Sequence, residues 1–321
     1  VTGPLVFPSS IAIRLDHSSG SSFAVGMTIL PRSDMRLAAL WMTGAIVSFS
    51  AMAVAGRKVT AELDTFELMT YRSIISLVLV LAIAAFAGTL NQINARSIRL
   101  HTIRNLSHFA GQNMWFAAIT MIPLAQVVAL EFTSPIWVAL LAPLFLSERL
   151  TPLRIFVAIL GFIGVLVVAR PDLSHIELGS LLASGAAIGF AGSAIATKRL
   201  TRHESITCIL FWLALMQAVF GLVTAGWDGQ ITVPSVKLLP WVALVSVTGL
   251  GAHFCLTTAL KHAPAVIVMP MDFARLPLVA MLGIAFFSET VDIWVFVGAA
   301  IIFGANYLNI AAEARRNRAL T

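Results

Sequence analysis

The chain has 321 residues, of which 59% are hydrophobic and only 11% charged, and its mean hydropathy is +0.91. An ordinary soluble domain carries about 25% charged residues, so a large soluble enzyme domain, a disordered chain and a collagen-like chain are all excluded. The formal charge of +6 would suggest nucleic acid in a soluble protein, but the placement of Lys and Arg points elsewhere and no nucleic-acid partner is expected. Cys208 and Cys255 both fall inside apolar runs, a pattern with neither a disulfide framework nor metal-ligand spacing.

Residues 1–34 lack the charged head, apolar centre and small-residue cleavage site of a signal peptide in the right order. They read as a flexible, dispensable tail, with Met27 and Met35 as candidate starts. Apolar stretches then recur at roughly 37–56, 65–88, 103–121, 124–146, 153–170, 177–197, 206–226, 238–260, 264–287 and 292–312. A helix of about 20 residues crosses the hydrocarbon core, and lipid offers backbone amides no other partner. The expected fold is all-α integral membrane, with ten transmembrane helices and the lipid bilayer as their surroundings. The connections at Pro123 and Pro264 are short and make their flanking spans antiparallel neighbours. With both termini inside, 15 basic residues fall on inner segments and four, Arg57, Lys58, Arg170 and Lys237, on outer ones. The positive-inside rule then gives a bacterial inner (cytoplasmic) membrane protein, N-in and C-in, with residues 313–321 as a basic cytoplasmic tail.

The sequence repeats itself at a constant offset of 141 residues. Gly44 falls on Gly185, Arg57-Lys58 on Lys198-Arg199, Gly88 on Gly229, Pro123 on Pro264, Phe132 on Phe273, and Ser147-Glu148 on Ser288-Glu289. This divides the chain into 35–171 and 172–312. Five spans per repeat is an odd number, so the second repeat lies inverted in the membrane, the arrangement of secondary transporters with a midplane site. A duplicated structural membrane protein is the alternative.

The half-ending pattern reads Pro123-Leu-Ala, Phe132-Thr-Ser-Pro135, Ser147-Glu148-Arg-Leu-Thr and Gly161-Phe-Ile-Gly164, with a looser second copy at Pro264, Phe273 and Ser288-Glu289-Thr. Over residues 37–312 the chain resembles the drug/metabolite transporter superfamily, specifically its EamA-type members. The resemblance implies a carrier of small metabolites, among them amino acids, riboflavin and S-adenosylmethionine, without choosing between them.

Four ionisable residues sit well inside spans: Arg72, Glu131, Asp272 and Arg275. A charge at a helix centre costs about 2.5–3.5 kcal/mol on insertion scales, so these groups are expected to face the bundle interior in pairs. The pairs expected are Arg72 with Glu131 and Asp272 with Arg275, either along the transport path or as structural ties. Glu131 and Asp272 are repeat mates. Pro135 and Pro277 each remove the hydrogen bond to the carbonyl four residues back, so both helices are expected to bend beside their carboxylate. His108, Gln112 and Asn113 in span three, with Trp115 beside them, Gln126 and Trp137 in span four, Gln217 in span seven and His253 in span eight would suit an amphiphilic organic solute or interhelical hydrogen bonds. His108 or His253 is a candidate proton carrier. Gly185-Ala-Ala-Ile-Gly189 and its mate Gly44–Ser48 are close-packing faces within the chain, with a homodimer seam as alternative.

No Walker loop, GxGxxG, HExxH or GxSxG turn occurs. No cofactor, ATP-driven step or enzyme activity is expected, and energy comes from a solute or proton gradient. The function expected is a secondary carrier of a small polar or amphiphilic metabolite, against a non-transporting assembly or lipid-handling subunit.

Overall fold

The structure, a computed structural model, describes residues 11–12, 28–29, 35–146, 152–170, 177–227 and 229–319. Two residue pairs, β1 (Ile11–Ala12) and β2 (Thr28–Ile29), form a short antiparallel ladder. The rest of the described chain is helical: α1 (Met35–Val59), α2 (Thr65–Phe86), α3 (Ile98–Met121), α4 (Leu124–Glu131), α5 (Ser134–Leu146), α6 (Pro152–Ala169), α7 (Leu178–Leu200), α8 (Ile206–Ala225), α9 (Leu239–His262), α10 (Ala265–Met271), α11 (Arg275–Phe287) and α12 (Ile293–Ala319).

Among the described residues, six stretches are long and apolar enough to cross a membrane, and shorter apolar segments lie at Leu124–Val138, Ile155–Val168 and Ile293–Ala305. Helix α3 is long enough, but His101, Arg104, Asn105, His108, Gln112 and Asn113 make it polar, and all six are buried. It begins five residues before the expected 103, which takes His101 into the helix. The two stretches expected as single spans at 124–146 and 264–287 are each two helices, α4–α5 and α10–α11. Large apolar side chains such as Phe86, Ile83, Val78, Leu40 and Phe162 point outward, the pattern of a bundle whose solvent is apolar.

Helix packing follows the internal repeat. The dominant pairs are α1 with α9, α3 with α7, α2 with α8 and α6 with α12. Exchanging the two halves turns α1–α9 into α7–α3 and leaves α2–α8 and α6–α12 unchanged. It likewise turns the contact of α4 with α11 into that of α10 with α5. The turns repeat as well. The mates Gly88 and Gly229 both have positive φ, +67° and +75°, a conformation that a side chain disfavours and glycine adopts freely.

Helices α3 and α7 touch backbone to backbone. A Cβ on Gly189 would lie 2.8 Å from both the Cα of Gly111 and the Ser107 carbonyl oxygen. The small-residue face is thus used within the chain. Overpacking of this kind costs about 1–3 kcal/mol, more where backbone is the obstacle. Gly189→Val is expected to lower the thermal midpoint of the detergent-purified protein well below that of Gly304→Ala, whose Cβ meets nothing within 4 Å. Equal midpoints would show that the helices separate freely.

At the end of the bundle where α3 and α8 begin, Glu204 accepts from Ser97 Oγ at 2.6 Å and Asn94 Nδ2 at 2.9 Å. Burial would raise its pKa, but these hydrogen bonds hold its carboxyl below the usual range.

Candidate functional site

The two helix breaks meet at one guanidinium. Helix α4 stops at Glu131, where Thr133 N–H turns back to the Leu130 carbonyl at 3.1 Å and Pro135 offers no N–H to continue the ladder. In the second half a 3-10 turn, Asp272–Ala274, separates α10 from α11, with Pro277 in the first turn of α11. The two breaks, 141 residues apart in sequence, put both carboxylates on Arg275. Its Nη2 donates to Glu131 Oε1 at 2.6 Å and to Asp272 Oδ2 at 2.7 Å. Trp115 Nε1 donates to Glu131 Oε2 at 2.8 Å. The Phe49 and Phe132 rings lie 5.2 and 5.8 Å from the guanidinium carbon, close enough for cation–π attraction. Arg275 is 1% exposed. Asp272 Oδ1 and Arg275 Nε have no hydrogen-bond partner among the described residues.

The triad lines a cavity with about 730 Å³ of empty space. His108 and His253 pack edge to face in its lining, ring centroids 4.6 Å apart. Phe49 lies 5.6 Å from the His253 ring and Phe190 5.9 Å from the His108 ring, which makes an aromatic wall. Nε2 of both histidines, Oε1 of Gln112 and Oγ1 of Thr257 are buried with no hydrogen-bond partner among the described residues. Unpartnered buried polar atoms are scarce in native folds, and here four belong to residues lining one cavity. A solute with an apolar plane and several hydrogen-bonding atoms would satisfy them.

Of the expected site residues, His108, Gln112, Glu131, His253, Asp272 and Arg275 line this cavity. Three do not. Arg72 does not pair with Glu131, whose carboxylate is held by Arg275 and Trp115 instead. It faces a separate, smaller space of about 240 Å³ with Ser73, Ser76 and Gln217, and its Nη1 lies 3.7 Å from Met52 Sδ. Asn113 turns back on its own helix, donating to the Phe109 carbonyl at 2.9 Å. Trp137 packs on the cluster of Ala38, Met42, Val138 and Leu260. Outside the earlier reading, Arg104 also lines the cavity. The charge count grouped it with the basic residues of the inner segments, at the start of the span expected at 103–121, yet it is 2% exposed and faces the cavity. Its Nε donates to Thr197 Oγ1 at 3.2 Å and its Nη1 to Asn105 Oδ1 at 2.8 Å. Among the described residues no carboxylate pairs with it. Its position one turn after His101 on a polar helix was the signal available in the sequence.

A second charged contact ties the halves together at the end of the bundle where α1 stops and α4 starts. Glu289 pairs with Arg57 and accepts from the Leu124 N–H with both carboxylate oxygens at 3.1 Å. The Phe287 ring lies 4.8 Å from the Arg57 guanidinium carbon. Lys198, the repeat mate of Arg57, instead donates to the carbonyls of Leu260 and Ala263 at 2.6 and 2.8 Å. Glu148, the mate of Glu289, lies outside the described residues.

The EamA-like transporter family model matches residues 36–170 and again residues 177–311. The second match is the first displaced by 141 residues, the offset of the internal repeat. The chain is 34% identical over 240 residues to a riboflavin transporter of Brucella anthropi, covering 74% of this chain and 84% of that protein. It is 28% identical over 273 residues to an S-adenosylmethionine uptake transporter of Rickettsia felis, covering 85% and 92%. A pseudopaline exporter of Pseudomonas aeruginosa is 25% identical over 275 residues, covering 85% and 94%. A solved crystal structure superposes with a TM-score of 0.66 at 19% identity, covering 87% of this chain and 98% of the other; that likeness concerns the fold.

Proposed function

Because the chain belongs to the EamA-like transporter family and is a carrier of small metabolites rather than an enzyme, we propose that it moves a neutral, flat heteroaromatic metabolite of the riboflavin type by alternating access. The membrane-embedded unit is ten spans in two inverted five-span repeats, with the α4–α5 and α10–α11 pairs each counted as one broken span. Both termini lie in the cytoplasm, and the bundle sits in the bacterial inner membrane against lipid. The chain acts as a monomeric transport unit, since its small-residue faces are spent on packing within the chain.

The observation that carries the substrate reading is the cavity lining. An aromatic wall offers stacking, the four unpartnered polar atoms offer hydrogen bonds, and Arg104 offers a cation with no carboxylate of its own. Glu131 and Asp272 are both engaged by Arg275. A guanidinium with no carboxylate partner among the described residues, beside carboxylates already engaged by Arg275, disfavours a positively charged solute and suits an electron-rich ring bearing carbonyl acceptors. The riboflavin transporter relative supports the same choice.

The conformer is read as inward-facing. Arg104, Thr197 and Leu260 line the cavity from the first turns of α3 and the last turns of α7 and α9, which are cytoplasmic ends in this topology. The Arg57–Glu289 contact closes the opposite side. Rocking of one repeat against the other would exchange the two closures about the triad.

Expression of the chain in a riboflavin-auxotrophic bacterium without its own uptake system is expected to restore growth on low external riboflavin and to raise initial riboflavin uptake. Normal insertion with no riboflavin uptake, together with uptake of S-adenosylmethionine, would overturn the substrate reading. Bright fluorescence and inactive alkaline phosphatase from fusions after residue 312 are expected for a cytoplasmic C-terminus, and the reverse pattern rejects it.

A further inference from the structure

Away from the transport cavity, three side chains with metal-binding atoms converge where α3 and α8 begin: His101, Glu204 and Cys208. Their ligand atoms all lie within 4.8 Å of one another and all three residues are buried. They come from three separate places in the chain. His101 is in the first turn of α3, Glu204 in the turn between α7 and α8, and Cys208 in the first turn of α8. The spacing therefore gives no motif, and only the packing of the first repeat on the second brings the set together.

The second observation concerns the imidazole. His101 is 0% exposed and neither ring nitrogen has a hydrogen-bond partner among the described residues. A buried histidine in a native fold normally has at least one nitrogen satisfied. Its ring packs against Trp212, centroids 6.0 Å apart, so its orientation is fixed. Glu204 is held in place by Ser97 and Asn94, and each carboxylate oxygen retains a second lone pair for a cation. Cys208 Sγ lies 3.4 Å from the Asn94 carbonyl oxygen, and Trp212 Nε1 donates to that same oxygen at 2.7 Å. These outer contacts orient the ligands, as surrounding hydrogen bonds do in protein metal sites.

We propose that His101, Glu204 and Cys208 form a binding site for a zinc-type divalent cation at the cytoplasmic end of the bundle. One nitrogen, one oxygen and one sulfur suit borderline Zn²⁺ better than Ca²⁺ or Mg²⁺, which prefer oxygen alone. Zinc–ligand bonds run about 2.0–2.3 Å, which brings tetrahedral neighbours to roughly 3.5 Å, so the α7–α8 turn closes by about 1 Å on loading. The thiol gives up its proton to solvent as the Zn–S bond forms. A reducing cytoplasm keeps Cys208 available as a thiol. The bound ion ties α3 of the first repeat to α8 of the second, and so stabilises the folded carrier by mass action.

The test uses the full chain in detergent, stripped with chelator, without transport substrate, so its outcome is independent of the riboflavin reading. Co²⁺ serves as the optical probe and Zn²⁺ as competitor. One equivalent of Co²⁺ is expected to bind with a thiolate-to-metal charge-transfer band that Zn²⁺ abolishes and Cys208→Ser removes. Zn²⁺ is expected to raise the thermal midpoint of the wild type, and His101→Ala is expected to weaken Zn²⁺ binding at least ~10-fold, the least that losing a ligand does when outer contacts alone are worth 10–100-fold. Because His101→Ala opens a cavity, His101→Gln is measured beside it, with midpoints recorded metal-free to confirm folding. A cobalt spectrum without the thiolate band, or equal Zn²⁺ affinity in wild type and both His101 variants, overturns the site.

Discussion

Arg275→Gln is expected to lower transport at least ~100-fold in protein that still reaches the membrane. The side chain holds Glu131 and Asp272 at 2.6 and 2.7 Å from a single nitrogen. Its removal leaves two carboxylates beside each other with no counter-charge, and losing one member of a buried hydrogen-bonded charge pair costs about 2–5 kcal/mol. A rate effect of ~100-fold needs only about 2.7 kcal/mol. Glu131→Gln and Asp272→Asn are expected to be milder, roughly 10-fold each, because the remaining carboxylate still pairs with Arg275. The double variant Asp272→Asn with Arg275→Gln leaves Glu131 charged and alone, so it does not rescue. The triple neutral variant, with Glu131→Gln added, separates the roles. It is expected to recover thermal stability and to remain inactive if the triad acts in transport. Initial uptake per amount of monodisperse protein is the measurement, and wild-type transport by the triple variant would reduce the triad to a structural tie.

Glu289→Gln is expected to open the outer side of the bundle. In the wild type this carboxylate takes one guanidinium and one backbone N–H, and charge-assisted hydrogen bonds contribute about 1.5–3 kcal/mol each. Weakening them shifts the balance between conformers by a comparable amount, which corresponds to about 10–150-fold in population. The reporter is Val128→Cys, a position with 0% exposure on α4, which packs against α11. Labelling by an impermeant thiol reagent from outside is expected to rise at least ~5-fold when Glu289→Gln is added. Arg57→Ala is expected to act in the same direction. Unchanged labelling in both would show that the contact does not hold the outer side closed.

The membrane class, the repeat and the existence of a buried charged centre follow from the sequence alone, because each depends on local quantities. Apolar runs of fixed length report the solvent. A constant offset that aligns Pro, Gly and charge pairs reports duplication, and the family matches at 36–170 and 177–311 coincide with it. Pro135 and Pro277 mark the helix breaks by covalent chemistry. What the tertiary structure decided was pairing. The depth of Arg72 along its helix made it a reasonable partner for Glu131, but depth carries no information on which helix faces which. The Asp272–Arg275 pair, three residues apart, forms as expected, but the crossing of the second half against the first brought Glu131 to it and left Arg72 beside Met52. The same packing put Arg104, counted from the sequence as an inner-end charge, on the cavity wall. It also brought His101 to Glu204 and Cys208, which are four residues apart at the start of α8; the separation of 103 residues between His101 and Glu204 gives no motif because that proximity is created by the apposition of two repeats.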